Sequence, residues 1–123
     1  MISPYVFPGI KNLHKTSKDL RYKKNLETPR QILEIVSETC GITVEQILSR
    51  TRKSETVDAR YIFCGIMKKY FNYPYKNIGE HAGGRDHTTI IHAVRTFENR
   101  CVLEDGYSEL VETIIYNLNS KLK

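Results

Sequence analysis

GGRDHTTIIHAVR, from Gly83 to Arg95, is the stretch whose reading decides the fold of this chain. Two glycines permit the backbone angles of a sharp turn. Asp86 then offers a carboxylate to the unpaired N–H groups that open a helix. Ile90, Ile91, Val94 and Phe97 recur at helical spacing and bury one face. His87, Thr88, His92, Arg95 and Thr96 are left wholly or partly outward. Upstream, Pro74 to Ala82 reads as a short helix. The two helices and their turn form a helix-turn-helix, whose second helix enters the major groove by its N-terminal end. A Thr there brings a hydroxyl to base edges and a methyl to the thymine methyl, and an Asp can accept from cytosine N4. The plainer reading is a capped surface helix with ordinary polar residues.

Working outward, composition sets the frame. The chain has 123 residues, 40% hydrophobic and 27% charged, which suits one folded domain with its own core. Its net charge is +5 and its pI about 9.1, a balance that favours polyanionic partners. That charge is uneven. Residues 1–30 hold seven Lys and Arg against two acids, whereas residues 98–123 hold five acids against three bases. The C-terminal end is therefore the least suited to face phosphate.

Residues 1–27 read as a basic N-terminal extension, broken early by Pro4, Pro8 and Gly9 and carrying Lys15, Lys18, Arg21, Lys23 and Lys24. Either it docks through Tyr5, Val6 and Phe7, or it adds a phosphate-contacting arm. Residues 28–123 read as an all-α domain, since no segment sustains a period of two. Thr28-Pro29 suits an N-cap with proline at the first helical position. Gly41 is placed to stop that helix, and Thr43 with Gln46 makes a capping box for a short one. The basic loop SRTRKS follows, Ser49 to Ser54. A long helix is expected over about Thr56 to Phe71, then the helix-turn-helix, with its second helix near His87–Leu103. Gly106 is expected to break the chain and Ser108 to cap a last helix that turns Leu110, Val111, Ile114, Ile115 and Leu118 inward.

Cys40, Cys64 and Cys101 lack C-x-x-C spacing, and an odd count with no signal segment implies free thiols in a reducing compartment. No apolar run approaches the roughly 20 residues that span a bilayer, so a cytoplasmic protein is expected. Metal chemistry is disfavoured, because His87 and His92 are five apart and miss the i, i+4 face of helical zinc ligands. Asp86 and His87 are adjacent on a helix and point apart, which does not suit an acid–base pair. Tyr70, Tyr73 and Tyr75 read as core and corner residues rather than a stacking platform for single strands. The basic loop has its own case. Arg50, Arg52 and Lys53 precede a helix, and a narrow A-tract minor groove attracts inserted Arg.

On these residues the chain resembles the C-terminal duplex-DNA-binding domain of DnaA, the bacterial chromosomal replication initiator. The resemblance spans roughly residues 30 to 121 and is most specific from Ile78 to Arg95. It implies an all-helical, Trp-repressor-like domain that reads DnaA boxes in double-stranded DNA. By direct match it implies that Asp86, His87 and Thr88 face bases, that Thr89 lies near phosphate, and that Arg52 enters the minor groove. Arg60 and Tyr61 fall on phosphate-contacting positions, with Arg50, Lys53, Lys76 and Arg95 as further phosphate contacts. Four positions depart from the pattern. Ala59 replaces a proline, Tyr61 a polar residue, Ala82 an aromatic and Thr96 a basic residue. A G-x-x-x-x-G-K-[ST] phosphate loop is absent, so the expectation is box recognition without nucleotide, cofactor, metal or catalysis. The alternatives are a protein–protein adaptor or transcription regulator on the same fold, and a small metal-dependent hydrolase.

Overall fold

The computed structural model describes residues 28–121. The expected extension over residues 1–27, with its docking residues Tyr5, Val6 and Phe7, lies outside the described residues. The described residues form six helices: α1 Thr28–Cys40, α2 Val44–Leu48, α3 Ser54–Lys69, α4 Tyr75–His81, α5 His87–Leu103 and α6 Asp105–Lys121. The fold is all-α.

Local signals account for most boundaries. Gly41, at φ 74°, ends α1; its N–H and that of Ile42 both donate to the Ser37 carbonyl. A five-residue helix such as α2 cannot hold itself in water. Here the capping box closes as expected, with Gln46 N donating to Thr43 Oγ1 and Thr43 N to Gln46 Oε1, each at 3.1 Å. Ile47 then anchors α2 in the core with no exposed surface. Thr28 is itself helical, so it is not the cap that its side chain suggests.

α3 is the central element. Ala59, Ile62, Phe63, Cys64, Ile66 and Met67 are all buried, and α3 packs against α1, α2, α4 and α5. Its closest partner is α5. Phe97 lies so near the α3 backbone that a Cβ on Gly65 would collide with its ring. α6 closes the core against α1 and α5 through Tyr107, Val111, Ile114 and Leu118. Arg100 fastens this end. It donates to Asp58 Oδ1 on α3 at 2.5 Å and to both carboxylate oxygens of Glu104 at 3.0 Å, and lies over the Tyr107 ring at 4.2 Å.

One boundary corrects the sequence reading. Gly106 does not break the chain, and Ser108 does not cap α6. The break is Glu104, whose backbone is extended, and α6 begins at Asp105. Ser108 sits inside the first turn, its N–H donating to the Glu104 carbonyl and its hydroxyl to the Asp105 carbonyl. Glycine costs a helix about 1 kcal/mol at most, which the burial of Tyr107 and Val111 just beyond it outweighs.

The turn between α4 and α5 is built on one carbonyl. The Gly79 oxygen accepts from the N–H groups of Ala82, Gly84 and Arg85. Gly83 and Gly84 have φ of 93° and 75°, which lets the chain fold back this tightly. Gly79 is needed for a different reason: a Cβ there would collide with the Arg85 carbonyl oxygen. Backbone cannot yield as a flexible side chain does, so Gly79→Ala is expected to cost about 1–3 kcal/mol, the usual range for overpacking. Without that clash it would gain up to about 1 kcal/mol from helix propensity. Urea unfolding followed by circular dichroism distinguishes the signs, and a stabilised Gly79→Ala protein would show that the turn is looser than described.

Candidate nucleic-acid interface

Asp86 has an extended backbone and caps α5, its Oδ2 accepting from Thr88 N at 3.1 Å. This bond, followed by one from the Thr88 side chain, holds the Asp86 carboxyl below the usual carboxylate range. It is therefore ionised at neutral pH, at the end of a helix where negative charge is favoured. Its other oxygen, Oδ1, stands 3.5 Å from His87 Nδ1. The capping duty thus occupies Oδ2 and leaves Oδ1 beside the His87 ring on the exposed side. Asp86, His87, Thr88 and Thr89 are all exposed. Ile90, Ala93, Val94 and Phe97 are buried on the opposite face, and Ile91 is only half-buried. One face of α5 is spent on the core, and the start of the other is polar and open.

Further along that open face His92 and Arg95 are exposed and Thr96 is half-buried. Tyr61, half-buried on α3, meets His92 edge-on with ring centroids 6.0 Å apart. Lys76 is exposed on α4. Ala82 is fully buried, so it lies beneath the turn and not on the outer face.

The basic loop between α2 and α3 exposes Arg50, Arg52 and Lys53 and half-buries Ser49 and Thr51. Short-range bonds shape it: Ser49 Oγ donates to Gln46 O at 2.7 Å, Thr51 N to Ser49 Oγ and Lys53 N to Thr51 Oγ1, both at 3.3 Å. A longer bond comes from α3. Arg60 is only 7% exposed. Its Nε donates to Ile47 O at 2.8 Å, and its Nη2 to Ser49 O at 2.9 Å and Thr51 O at 3.3 Å. The sequence reading placed Arg60 on a phosphate. In the fold most of its donors turn inward to hold the loop, and only Nη1 lacks a partner among the described residues.

Arg85 is the residue that the sequence reading passed over. It lies in the turn just before Asp86, and its Nη2 donates to the same Ser49 oxygen at 2.6 Å. Its Nη1 donates to the Ala82 carbonyl. The loop and the start of α5 therefore lie side by side. Nothing in the sequence pairs position 85 with position 49; the only local sign is an Arg between the turn glycines and a cap.

Cys64 and Cys101 are buried, and burial pushes each thiol up to about 12, which suits inert core residues rather than nucleophiles. Among the described residues no three His, Cys, Asp or Glu side chains are grouped to hold a metal ion. No described helix is long and apolar enough to cross a membrane.

Residues 29–96 match the family described as the bacterial DnaA protein helix-turn-helix. The chain belongs to that family. Its relatives agree. The chromosomal replication initiator protein DnaA of Mycoplasma capricolum subsp. capricolum is 44% identical over 69 residues, which cover 56% of this chain and 15% of that protein. The Bacteroides fragilis initiator is 27% identical over 105 residues, covering 83% of this chain and 22% of that protein. A crystal structure of a DNA replication initiation factor superposes with a TM-score of 0.68 at 26% identity, over 95% of this chain and 33% of that one. The chain thus corresponds to a small share of these proteins' length.

Proposed function

We propose that this chain binds double-stranded DNA sequence-specifically at DnaA-box-like sites, in replication initiation or its regulation. The N-terminal end of α5 enters the major groove and Arg52 the adjacent minor groove. The observation that carries this reading is the capped, exposed start of α5, with Asp86, His87 and Thr88 outward beside an exposed basic loop. Asp86 Oδ1 accepts from a cytosine amine, and His87 and Thr88 contact thymine methyls or base edges. Thr89, Tyr61, Arg50, Lys53, Lys76 and Arg95 meet phosphates, joined by Nη1 of Arg60. Neither metal nor nucleotide is needed for this reading, and no bond is made or broken.

Selection from a random duplex pool identifies the preferred site, and a salt titration on that site tests the phosphate contacts. The logarithm of the binding constant is expected to fall linearly with the logarithm of salt, by about 0.9 per phosphate neutralised. The five cationic contacts, Arg50, Lys53, Arg60, Lys76 and Arg95, give a slope of about −4.5 by that same rule. Absence of binding to any duplex at low salt would overturn the proposal and favour a protein-binding adaptor.

A further inference from the structure

We infer that Arg85 is a positioning residue that sets the separation between the two groove-reading elements, an inference that rests on the DNA-binding reading above. One side-chain bond joins those elements, from Arg85 to the Ser49 carbonyl, and two more brace its ends. The Ser49 carbonyl accepts from Arg60 on α3 and from Arg85 in the turn before α5. Arg85 also donates to the Ala82 carbonyl that closes α4. Beneath them, a Cβ on Gly83 would stand only 2.6 Å from the Leu48 carbonyl oxygen, so the turn backbone lies directly on the segment that enters the loop. Arg52 is three residues beyond Ser49, and Asp86 immediately follows Arg85. A guanidinium with planar, fixed donors suits this work, because it bonds two carbonyls at once.

The electrostatics point the same way. Burial, with Arg60 and Arg50 nearby, lowers the Arg85 pKa from the usual arginine value. Arg60 is lowered chiefly by burial, with Arg50 adding to it. Among the described residues no carboxylate forms an ion pair with any of the three. Two guanidiniums on one carbonyl, with the Arg50 charge nearby, are relieved by phosphate oxygens outside, so the clamp that positions the loop also prepares it for an anionic strand.

The clamp and the DNA reading are tested separately. In the free wild-type chain, NMR relaxation of the Thr51, Arg52 and Lys53 amides is expected to show order close to that of α3. Loop amides as mobile as a loose tail would overturn the clamp without reference to DNA. Next, the selected site is compared with a version whose A/T flank is moved by one base pair. Wild-type protein is expected to bind the shifted site roughly tenfold more weakly, the usual scale of a mismatch. Arg85→Met is expected to bring the two affinities within about twofold, since its loop finds either register. Arg85→Lys, with one nitrogen for two carbonyls, is expected to fall between. An Arg85→Met protein with an intact melting transition and the full tenfold preference would overturn the proposal. So would an equal loss on selected, shifted and random duplexes, which marks a plain phosphate contact. If Arg85→Met fails to fold, Arg85→Lys and the wild-type relaxation decide. An ordered loop in a chain that binds no duplex retracts the DNA reading and leaves the clamp as a purely structural device.

Discussion

Thr88→Ala and His87→Ala are each expected to weaken binding to the preferred duplex by about 5- to 150-fold, the range of 1–3 kcal/mol for a well-formed base contact. Affinity for random duplex should change far less. Both side chains are exposed at the first two positions of α5, where a helix reaches base edges before its axis leaves the groove. Neither substitution removes the cap: Asp86 accepts from the Thr88 backbone N–H, which alanine retains. Asp86→Ala is the less informative variant, since losing an N-cap costs about 0.5–2 kcal/mol of stability and confounds recognition with folding. Lys76→Ala and Arg95→Ala are the controls. Both residues are exposed, and loss of a phosphate contact lowers affinity for all sequences together. The decisive quantity is the specific-to-random affinity ratio at one salt concentration. If it stays at the wild-type value in Thr88→Ala and His87→Ala proteins that melt normally, α5 is not the reader.

Phe97→Ala is expected to lower stability by about 3–5 kcal/mol. A domain of this size holds about 5–15 kcal/mol in all, so the variant approaches its unfolding threshold. Phe97 has no exposed surface, rests on the α3 backbone at Gly65 and meets Tyr107 edge-on at 6.1 Å. It therefore joins α3, α5 and α6 at one point. The close approach to Gly65 yields a second signature. In the wild-type chain Gly65→Ala drives a methyl into the Phe97 ring and destabilises. In the Phe97→Ala background that methyl enters the cavity, and alanine's better helix propensity adds up to about 1 kcal/mol. The sign of Gly65→Ala should reverse between backgrounds, as residues in direct contact are not additive. Chemical denaturation of the four proteins measures the cycle. A Phe97→Ala cost below about 1 kcal/mol, or the same Gly65→Ala effect in both, would refute the packing described.

Much of this protein is legible from local chemistry. The capping box of α2, the Gly41 stop, the Asp86 cap and the bounds of α5 all depend on residues within one helical turn of each other. So does the polar, outward start of α5, because helical spacing alone sends Ile90, Val94 and Phe97 to one side. Local chemistry misleads where a residue is tolerated rather than required. Gly106 and Ser108 look like a break and a cap, yet burial of Tyr107 and Val111 carries the helix through them.

The tertiary structure alone decides what holds the two proposed reading elements together. Arg60 and Arg85 resemble other surface arginines in the sequence, and only the packing of α3 and of the turn against the loop brings both to the Ser49 carbonyl, across 11 and 36 residues. Gly79 is a helix residue with no special backbone angle, and only the return of the chain at Arg85 makes a side chain there impossible. Hydrogen-bond partners and close approaches of this kind depend on where distant backbone lies. That is set by the burial of the whole core, whereas caps and helix faces follow from the order of neighbouring residues.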